Sequence, residues 1–272
     1  MKWGMICKPS KPSFAVADQI YQLMDDVLLE KKVAAQLGRE GYTVRELGDM
    51  VDRLVVIGGD GTILMVMRKI SKPMFTINTG QVGFMTEASV EDAVESMRKV
   101  LKGDCFIEKR MRIKTALNGS RLHDATNEVT VHTSAVGKIL SLRLIVDGVV
   151  TEELDGDGMI IATPTGSTSY ALSVGGPIVD PSIDAFVVAP MAPFRHTASP
   201  LIIPADRTLQ VKIMGKRDAT VVTDGIQEGT LSQRGTLELS LSQSTAEFIR
   251  LERNFYRKVY ETLSFHTKRH EV

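Results

Sequence analysis

The ten residues Leu54–Ile63, LVVIGGDGTI, carry an apolar run into two glycines, an acid, a third glycine and a threonine. The junction from a strand to a helix in an α/β sheet lies at the carboxyl end of the strands, where ligands gather. Gly58, Gly59 and Gly61 let the backbone turn tightly and approach a ligand, and the free N–H groups opening the next helix favour an anion such as phosphate. A lone carboxylate there would repel that phosphate. Asp60 makes chemical sense if it faces a hydroxyl and accepts its proton as the oxygen attacks phosphorus. Thr62 is placed to cap the helix or to bind a phosphate oxygen. The competing reading of GGDGT is a sharp turn with an aspartate cap. No G-x-G-x-x-G follows a strand and no G-x-x-x-x-G-K-[ST] occurs, so hydride transfer and a Walker-type nucleotide site both lose weight.

A second unusual stretch is DGDGMIIATPTGSTSYALSVGGPIV at 155–179. It places hydroxyls at Thr163, Thr165, Ser167, Thr168 and Ser169, then Tyr170 and Ser173, where a core strand would have apolar groups. Such a run either satisfies its own backbone or cradles a nucleoside, with hydroxyls and N–H groups on sugar, phosphate and base edge and Tyr170 stacking or hydrogen-bonding. Between the two stretches, NEVTVH opens an apolar strand with Asn127 and Glu128. An amide beside a carboxylate matches the donor and acceptors of an adenine edge; a turn residue followed by a surface acid is the competing reading. His123, His132, His196, His266 and His270 show no metal-ligand spacing, and Cys7 and Cys105 form neither a metal motif nor a disulfide framework.

These residues need elements to hold them. Over the first hundred residues short apolar runs alternate with helical patterns, which predicts βα units around a mostly parallel sheet. Strands are expected at Lys2–Cys7, Val27–Leu29, 53–57 and 73–78. Helices are expected after a Ser13 cap, over Lys32–Leu37, over 62–70 and over 90–103. From about 105 to 250 strand-length runs are divided by Gly, Asp, Asn and Pro, the texture of an all-β domain. The expected organisation is an α/β domain over 1–104, a β-rich domain over 105–250, and a tail over 251–272 that returns to the first.

With 272 residues and 43% hydrophobic content the chain can bury at least one full core. Lys plus Arg and Asp plus Glu both number 33, so no net field draws it to nucleic acid or an anionic membrane. The N-terminus lacks the apolar core of a signal peptide and no apolar run is long enough to span a bilayer, so a cytoplasmic location is expected.

GGDGT at 58–62, NE at 127–128 and the 155–179 stretch, in this order, resemble the NAD kinase family, enzymes that use ATP or polyphosphate to phosphorylate NAD to NADP. The likeness extends through APMAPFRHTASPLIIP at 189–204 and TDGIQ at 223–227. GGDGT alone is shared with diacylglycerol, sphingosine and phosphofructo-kinases; the 155–179 stretch is the specific one. The resemblance implies a Rossmann-like α/β domain, a C-terminal β-sandwich-like domain and an active site in the cleft between them. It implies that Asp60, beside Gly61, accepts the proton of the adenosine ribose 2′-hydroxyl. Asn127 and Glu128 would contact the adenine side of NAD. Thr165 and the run Thr168, Ser169, Tyr170, Ala171, Leu172 and Ser173 would line the nucleotide site, and Asp157 would bind a ribose or nicotinamide group. Lys138 and Gln227 fall where the family places further nucleotide contacts, joined by Asp155 and Ala192. A divalent cation, magnesium, would bridge donor oxygens with few protein ligands, and a homodimer or homotetramer would complete the site. Many relatives carry a basic residue five positions after the aspartate, where this chain has Met65; Arg68 is the replacement expected on helical spacing. Two alternatives stand beside this reading: a lipid or sphingoid kinase using the same first motif on an apolar alcohol, and a dinucleotide-binding sensor without transfer activity.

Overall fold

The run Trp3–Cys7 forms β1, buried at every position, as a strand covered on both faces must be. The computed structural model describes residues 1–80, 83–135, 137–194 and 198–264. After β1 come α1 (Lys11–Tyr21), β2 (Val27–Glu30), α2 (Lys31–Leu37), β3 (Gly41–Tyr42), α3 (Val44–Met50), β4 (Arg53–Ile57), α4 (Asp60–Met67), β5 (Met74–Ile77), α5 (Ala93–Lys102) and β6 (Phe106–Arg110). The next strands are β7 (Ile113–Leu117), β8 (Ser120–Arg121), β9 (Glu128–Thr133), β10 (Leu140–Val146), β11 (Val149–Gly156) and β12 (Gly158–Ala162). A 3-10 turn at Gly166–Thr168 and the single-turn α6 (Tyr170–Ser173) then precede β13 (Ala185–Met191), β14 (Leu201–Pro204), β15 (Leu209–Ile213), β16 (Ala219–Thr223), β17 (Ile226–Leu231) and β18 (Leu237–Leu241). The chain closes with β19 (Ala246–Arg250) and α7 (Phe255–Ser264).

Two compact units result: Met1–Lys109 with the chain from Ala246 onward, and Arg110–Thr245. In the first unit one sheet runs β3-β2-β1-β4-β5-β19-β6, and β1 pairs in parallel with both β2 and β4. Residues of α1, α2 and α5 pack on one face of this sheet; Leu47 of α3 and Ile63, Val66 and Met67 of α4 pack on the other. It is the three-layer α/β arrangement that the alternating runs predict. Two strands from within 105–250, β6 and β19, belong to this sheet.

The second unit holds two six-stranded sheets, β11-β10-β15-β18-β7-β8 and β14-β13-β12-β9-β16-β17. Alternation builds their shared core: Leu140, Leu142 and Leu144 of β10 and Leu209, Val211 and Ile213 of β15 meet Val129 and Val131 of β9 and Met159 and Ile161 of β12, with the period of two that a half-buried strand requires. The second sheet is covered on its other face as well. There Ile160, Ala162, Val187 and Ala189 pack against Ala171 of α6 and Val179. The result is the all-β domain expected from the strand texture, with the two facing sheets that the family resemblance implies.

Local details depart from expectation in three places. The cap of α1 is Ser10, whose hydroxyl accepts from the Ser13 amide at 3.4 Å. Ser13 is buried, with its hydroxyl 2.9 Å from those of Ser10 and Thr79. The helix expected at 62–70 begins at Asp60, because an extended Gly59 serves as its cap. Finally, β3 and α3 were not expected from apolar spacing: Leu47 is the one buried residue of α3. Their local signal is instead a capping box, in which Thr43 Oγ1 accepts from the Glu46 amide and Glu46 accepts from the Thr43 amide.

Candidate active site

In the first unit the chain moves from β1 outward to β2 and β3, then returns to the other side of β1 as β4. Such a reversal opens a crevice at the carboxyl ends of the two strands, and GGDGT leaves the end of β4 there. A Cβ on Gly58 would stand 2.6 Å from Thr62 Oγ1, whereas one on Gly59 or Gly61 would meet no atom within 4 Å. The turn therefore needs a glycine at 58 for close packing and leaves 59 and 61 uncovered. Gly59 caps α4 with no side-chain hydrogen bond to its first turn, an arrangement suited to an anion. Thr62 lies inside that turn and makes no cap.

Asp60 does not cap its own helix either. Its carboxylate accepts from the Phe84 amide at 3.0 Å and the Met85 amide at 3.2 Å. Gly83 packs on it so closely that a Cβ there would fall 2.2 Å from Oδ1. The plain reading of a self-capped turn is thus replaced by a half-buried carboxylate aimed by a separate loop. Met65 is 58% exposed, and Arg68 forms the C-cap of α4, its amide donating to the Leu64 carbonyl at 3.1 Å.

In the second unit Asn127 and Glu128 open β9, the strand between β12 and β16. Both residues are buried, yet Asn127 Oδ1 and Glu128 Oε2 have no hydrogen-bond partner in the protein. A buried acceptor without a donor costs about 1–3 kcal/mol, so a donor from outside the chain, water included, would stabilise either atom. Burial, reinforced by the charge of Asp224, pushes the Glu128 carboxyl up to about 7, against a lowering hydrogen bond from Ser169. Glu128 borders a cavity of about 210 Å³ lined also by Thr130, His132, Tyr170, Met191, Val222 and Gly225.

Two features hold this pair in place. Asp224, at the β16–β17 turn with φ +47°, accepts from the amides of Thr126 and Asn127 at 2.8 Å each and of Glu128 at 3.2 Å. Burial raises its pKa, and those three amides together with Arg112 act in the opposite direction. From the other side, the turn after β12 packs on Asn127: the Thr163 amide donates to the Asn127 carbonyl at 2.8 Å. A Cβ on Gly166 would stand 2.1 Å from that same carbonyl oxygen.

The glycine turn and the Asn127–Glu128 pair both lie within segments that match known proteins. Residues 13–105 match the ATP-NAD kinase N-terminal domain and residues 126–251 the ATP-NAD kinase C-terminal domain. The chain is 36% identical over 274 residues to the NAD kinase of Methanosphaera stadtmanae, covering 97% of this chain and 99% of that protein. The chain belongs to the NAD kinase family. Its activity is accordingly the phosphorylation of NAD to NADP. The NAD kinase of Thermococcus kodakarensis is 36% identical over 269 residues, 95% of this chain and 97% of the relative. Among solved structures, an Archaeoglobus fulgidus NAD kinase in complex with ATP superposes with a TM-score of 0.79 at 32% identity, covering 95% of this chain and 98% of that one. The yeast NADH kinase complexed with NADH shares the fold with a TM-score of 0.89 at 24% identity, over 97% of this chain and 88% of its own.

The residues expected to bind nucleotide in this NAD kinase family member fall into several groups. Glu128 and Tyr170 meet at the 210 Å³ cavity, with Ser169 bonded to Glu128. Asp157 and Ala192 lie at the ends of β12 and β13, where the Asp157 amide donates to the Met191 carbonyl at 2.9 Å; Ala192 takes a left-handed φ of +43°. Gln227 is exposed on β17, three residues after Asp224, and Lys138 is exposed in the turn before β10. Asp155 stands apart on β11, its carboxylate accepting from Ser141 Oγ at 2.5 Å beside a second cavity that includes Phe194 and Met214. In the hydroxyl run, Thr163, Ser167 and Thr168 bond the carbonyls of Thr126, Pro164 and Thr165, so part of that run serves its own backbone. Thr165 and Ala171 are buried, Leu172 is half-buried and Ser173 is exposed. Arg195 and His196 of the FRH stretch, with His266 and His270, lie outside the described residues. Asp224 and Gly166, inside TDGIQ and the 155–179 stretch, and His132 and Gly83 are members of the two constellations to which the sequence reading gave no role there.

Proposed function

We propose that Asp60 accepts the proton of the adenosine ribose 2′-hydroxyl as that oxygen forms a bond to the terminal phosphorus of the donor, while the bond from phosphorus to the departing donor oxygen breaks. The orientation of Asp60 by two amides supports this role, since a base must be held within hydrogen-bond reach of the proton it takes. The donor phosphates would lie against the open side of the turn at Gly59 and Gly61. The carrying observation is the pair of buried, unpartnered oxygens on Asn127 and Glu128. They suit the N–H and O–H donors of an adenosine and would remain unpaired beneath a lipid or sphingoid alcohol.

Among the described residues no three His, Cys, Asp or Glu side chains form a metal-holding group. A divalent cation, magnesium in this reading, would therefore be held mainly by donor oxygens with Asp60 the nearest carboxylate of the glycine turn, and would offset phosphoryl charge. Thr165, Ser169, Tyr170 and Asp157 would complete the acceptor site. We also infer that the enzyme is cytoplasmic, in keeping with two free cysteines; among the described residues no helix is long and apolar enough to cross a membrane. Self-association as a dimer or tetramer is supported by the exposed Phe194 and Met214 beside the Asp155 cavity, and light scattering on the purified protein tests it.

The decisive assay is NADP formation with NAD and magnesium, using ATP and polyphosphate in parallel, on wild type and Asp60→Asn. General-base catalysis supplies about 10²–10⁴-fold, so the variant should lose turnover by that factor while its NAD affinity holds. Lost affinity with intact turnover would refute the assignment.

A further inference from the structure

The two amides that hold Asp60 belong to the loop Gly83–Glu87, and the carbonyls of that loop are held by the end of the chain. Arg250 on β19 donates from Nη1 to the Met85 carbonyl at 3.1 Å and to the Thr86 carbonyl at 3.4 Å. The same guanidinium pairs with Glu87 at 3.0 Å and Glu108 at 2.8 Å, and it lies over the Phe248 ring at 4.6 Å. Lys258 on α7 donates Nζ to the Thr86 carbonyl. The Leu251 amide closes the set on Glu87 Oε1 at 2.8 Å. Within the loop, Thr86 Oγ1 donates to the Gly83 carbonyl at 3.2 Å, and Thr76 Oγ1 donates to the Met85 carbonyl at 3.0 Å.

The side chains of Arg250 and Glu87 are 3% and 1% exposed, and Lys258 is buried as well. Buried ion pairs are a poor source of stability compared with apolar packing, because desolvation offsets most of their attraction. Here Arg250 of β19, with Glu108 of β6 behind it, and Lys258 of α7 gather with Glu87 around the loop Gly83–Glu87, two of whose amides hold the Asp60 carboxylate. Reactive groups need this kind of outer support to stay within a fraction of an ångström of productive geometry.

We propose that Arg250 and Lys258 are positioning residues for phosphoryl transfer, fixing the Met85 and Thr86 carbonyls so that the Phe84 and Met85 amides keep Asp60 aimed at the acceptor hydroxyl. The inference rests on the reading of Asp60 as the proton acceptor.

Removing Arg250 strands two carboxylates and endangers the fold, so the primary variant is Lys258→Met, which keeps the aliphatic stem. Steady-state kinetics at saturating donor, together with thermal midpoints, would be measured for wild type, Lys258→Met, Lys258→Arg, Asp60→Asn and the Asp60→Asn/Lys258→Met double variant. The expected result for Lys258→Met is a kcat lower by about 10–100-fold, the scale on which small misplacements act, with KM for NAD within about twofold. Lys258→Arg should recover most of the turnover. In the Asp60→Asn background the second change should remove nothing further, since two residues acting through one group are not additive. Unchanged kcat in Lys258→Met, or a full further loss in the double variant, overturns the inference while leaving Asp60 as the base. Full turnover in Asp60→Asn overturns both. Should Lys258→Met fail to fold, Arg250→Lys keeps the charge and loses the fork, and the same split between kcat and KM decides the matter.

Discussion

Glu128→Gln should make the protein more stable at neutral and alkaline pH and a poorer binder of NAD. Glu128 is 8% exposed, and its carboxyl is raised from the ordinary 4.5 to about 7. A raised carboxyl pKa means that the folded state binds this proton more tightly than the unfolded chain. The contribution of Glu128 is then intact below pH 4.5 and is lost as pH rises through 7. At about 1.36 kcal/mol per unit, the ionised group costs the folded protein about 3 kcal/mol at pH 8. The isosteric amide does not titrate, so the variant escapes this penalty. Asp224, whose charge adds to the Glu128 shift, is present in both proteins, and the difference between their stability curves reports Glu128 together with its coupling to Asp224. Thermal or urea denaturation of both at pH 5, 6, 7 and 8 should show curves that lie closest at pH 5, diverge between pH 5 and 7, and keep a constant separation above pH 7. At about 2–4 °C per kcal/mol for a chain of this size, the separation corresponds to about 6–12 °C. Parallel curves across that range would refute the argument, because they would mean that Glu128 stays solvated or ionised without cost. The gain in stability should be accompanied by weaker NAD binding, since an acceptor oxygen is replaced by an amide that presents donors.

Three further substitutions probe the supports of the two constellations. Asp224→Asn removes the charge that accepts three amides and faces Arg112; KM for NAD should rise by a factor reflecting about 1.5–3 kcal/mol for a charged hydrogen-bond acceptor, with kcat changed far less, as steady-state kinetics would show. Gly166→Ala drives a methyl to 2.1 Å from the Asn127 carbonyl oxygen, so calorimetric titration should find NAD binding abolished or the β9 end displaced. Gly83→Ala places a methyl 2.2 Å from Asp60 Oδ1; turnover should fall by at least about tenfold while NAD affinity persists, and equal losses in kcat and affinity would contradict the separation of roles.

The first half of the fold was legible because apolar runs there coincide with the elements. RLVVI at 53–57 is β4 residue for residue, and Gly38 and Gly103 end their helices in left-handed backbone at φ +65° and +89°. The spacing of α3 was silent because a helix with one buried side chain has no apolar stripe to read. The glycine turn and the Asn127–Glu128 pair could be found because each is contiguous in the chain. Asp224 could not, since the three amides it holds lie 96 to 98 positions away and an aspartate in a hairpin turn is ordinary by itself. The same holds for Gly83, whose reason for lacking a side chain is a carboxylate 23 residues earlier in the sequence. In the hydroxyl run residue type did not distinguish Ser169, which reaches Glu128, from Thr163, which serves a carbonyl of the main chain.

The position of β19 carries a consequence for how the protein is made. The strand joins β5 and β6 only after Arg110–Thr245 has been synthesised, and its contact with β5 pairs Phe248 with Met74. On the ribosome the inserted sandwich can emerge and fold while the first sheet still lacks an inner strand. Contacts so distant in sequence form late, because a long loop must close before they are rewarded. Arg250 arrives with that last strand. A nascent chain that has completed its sandwich therefore still lacks the guanidinium that grips the Asp60 loop, and the first sheet is closed only once β19 has been made.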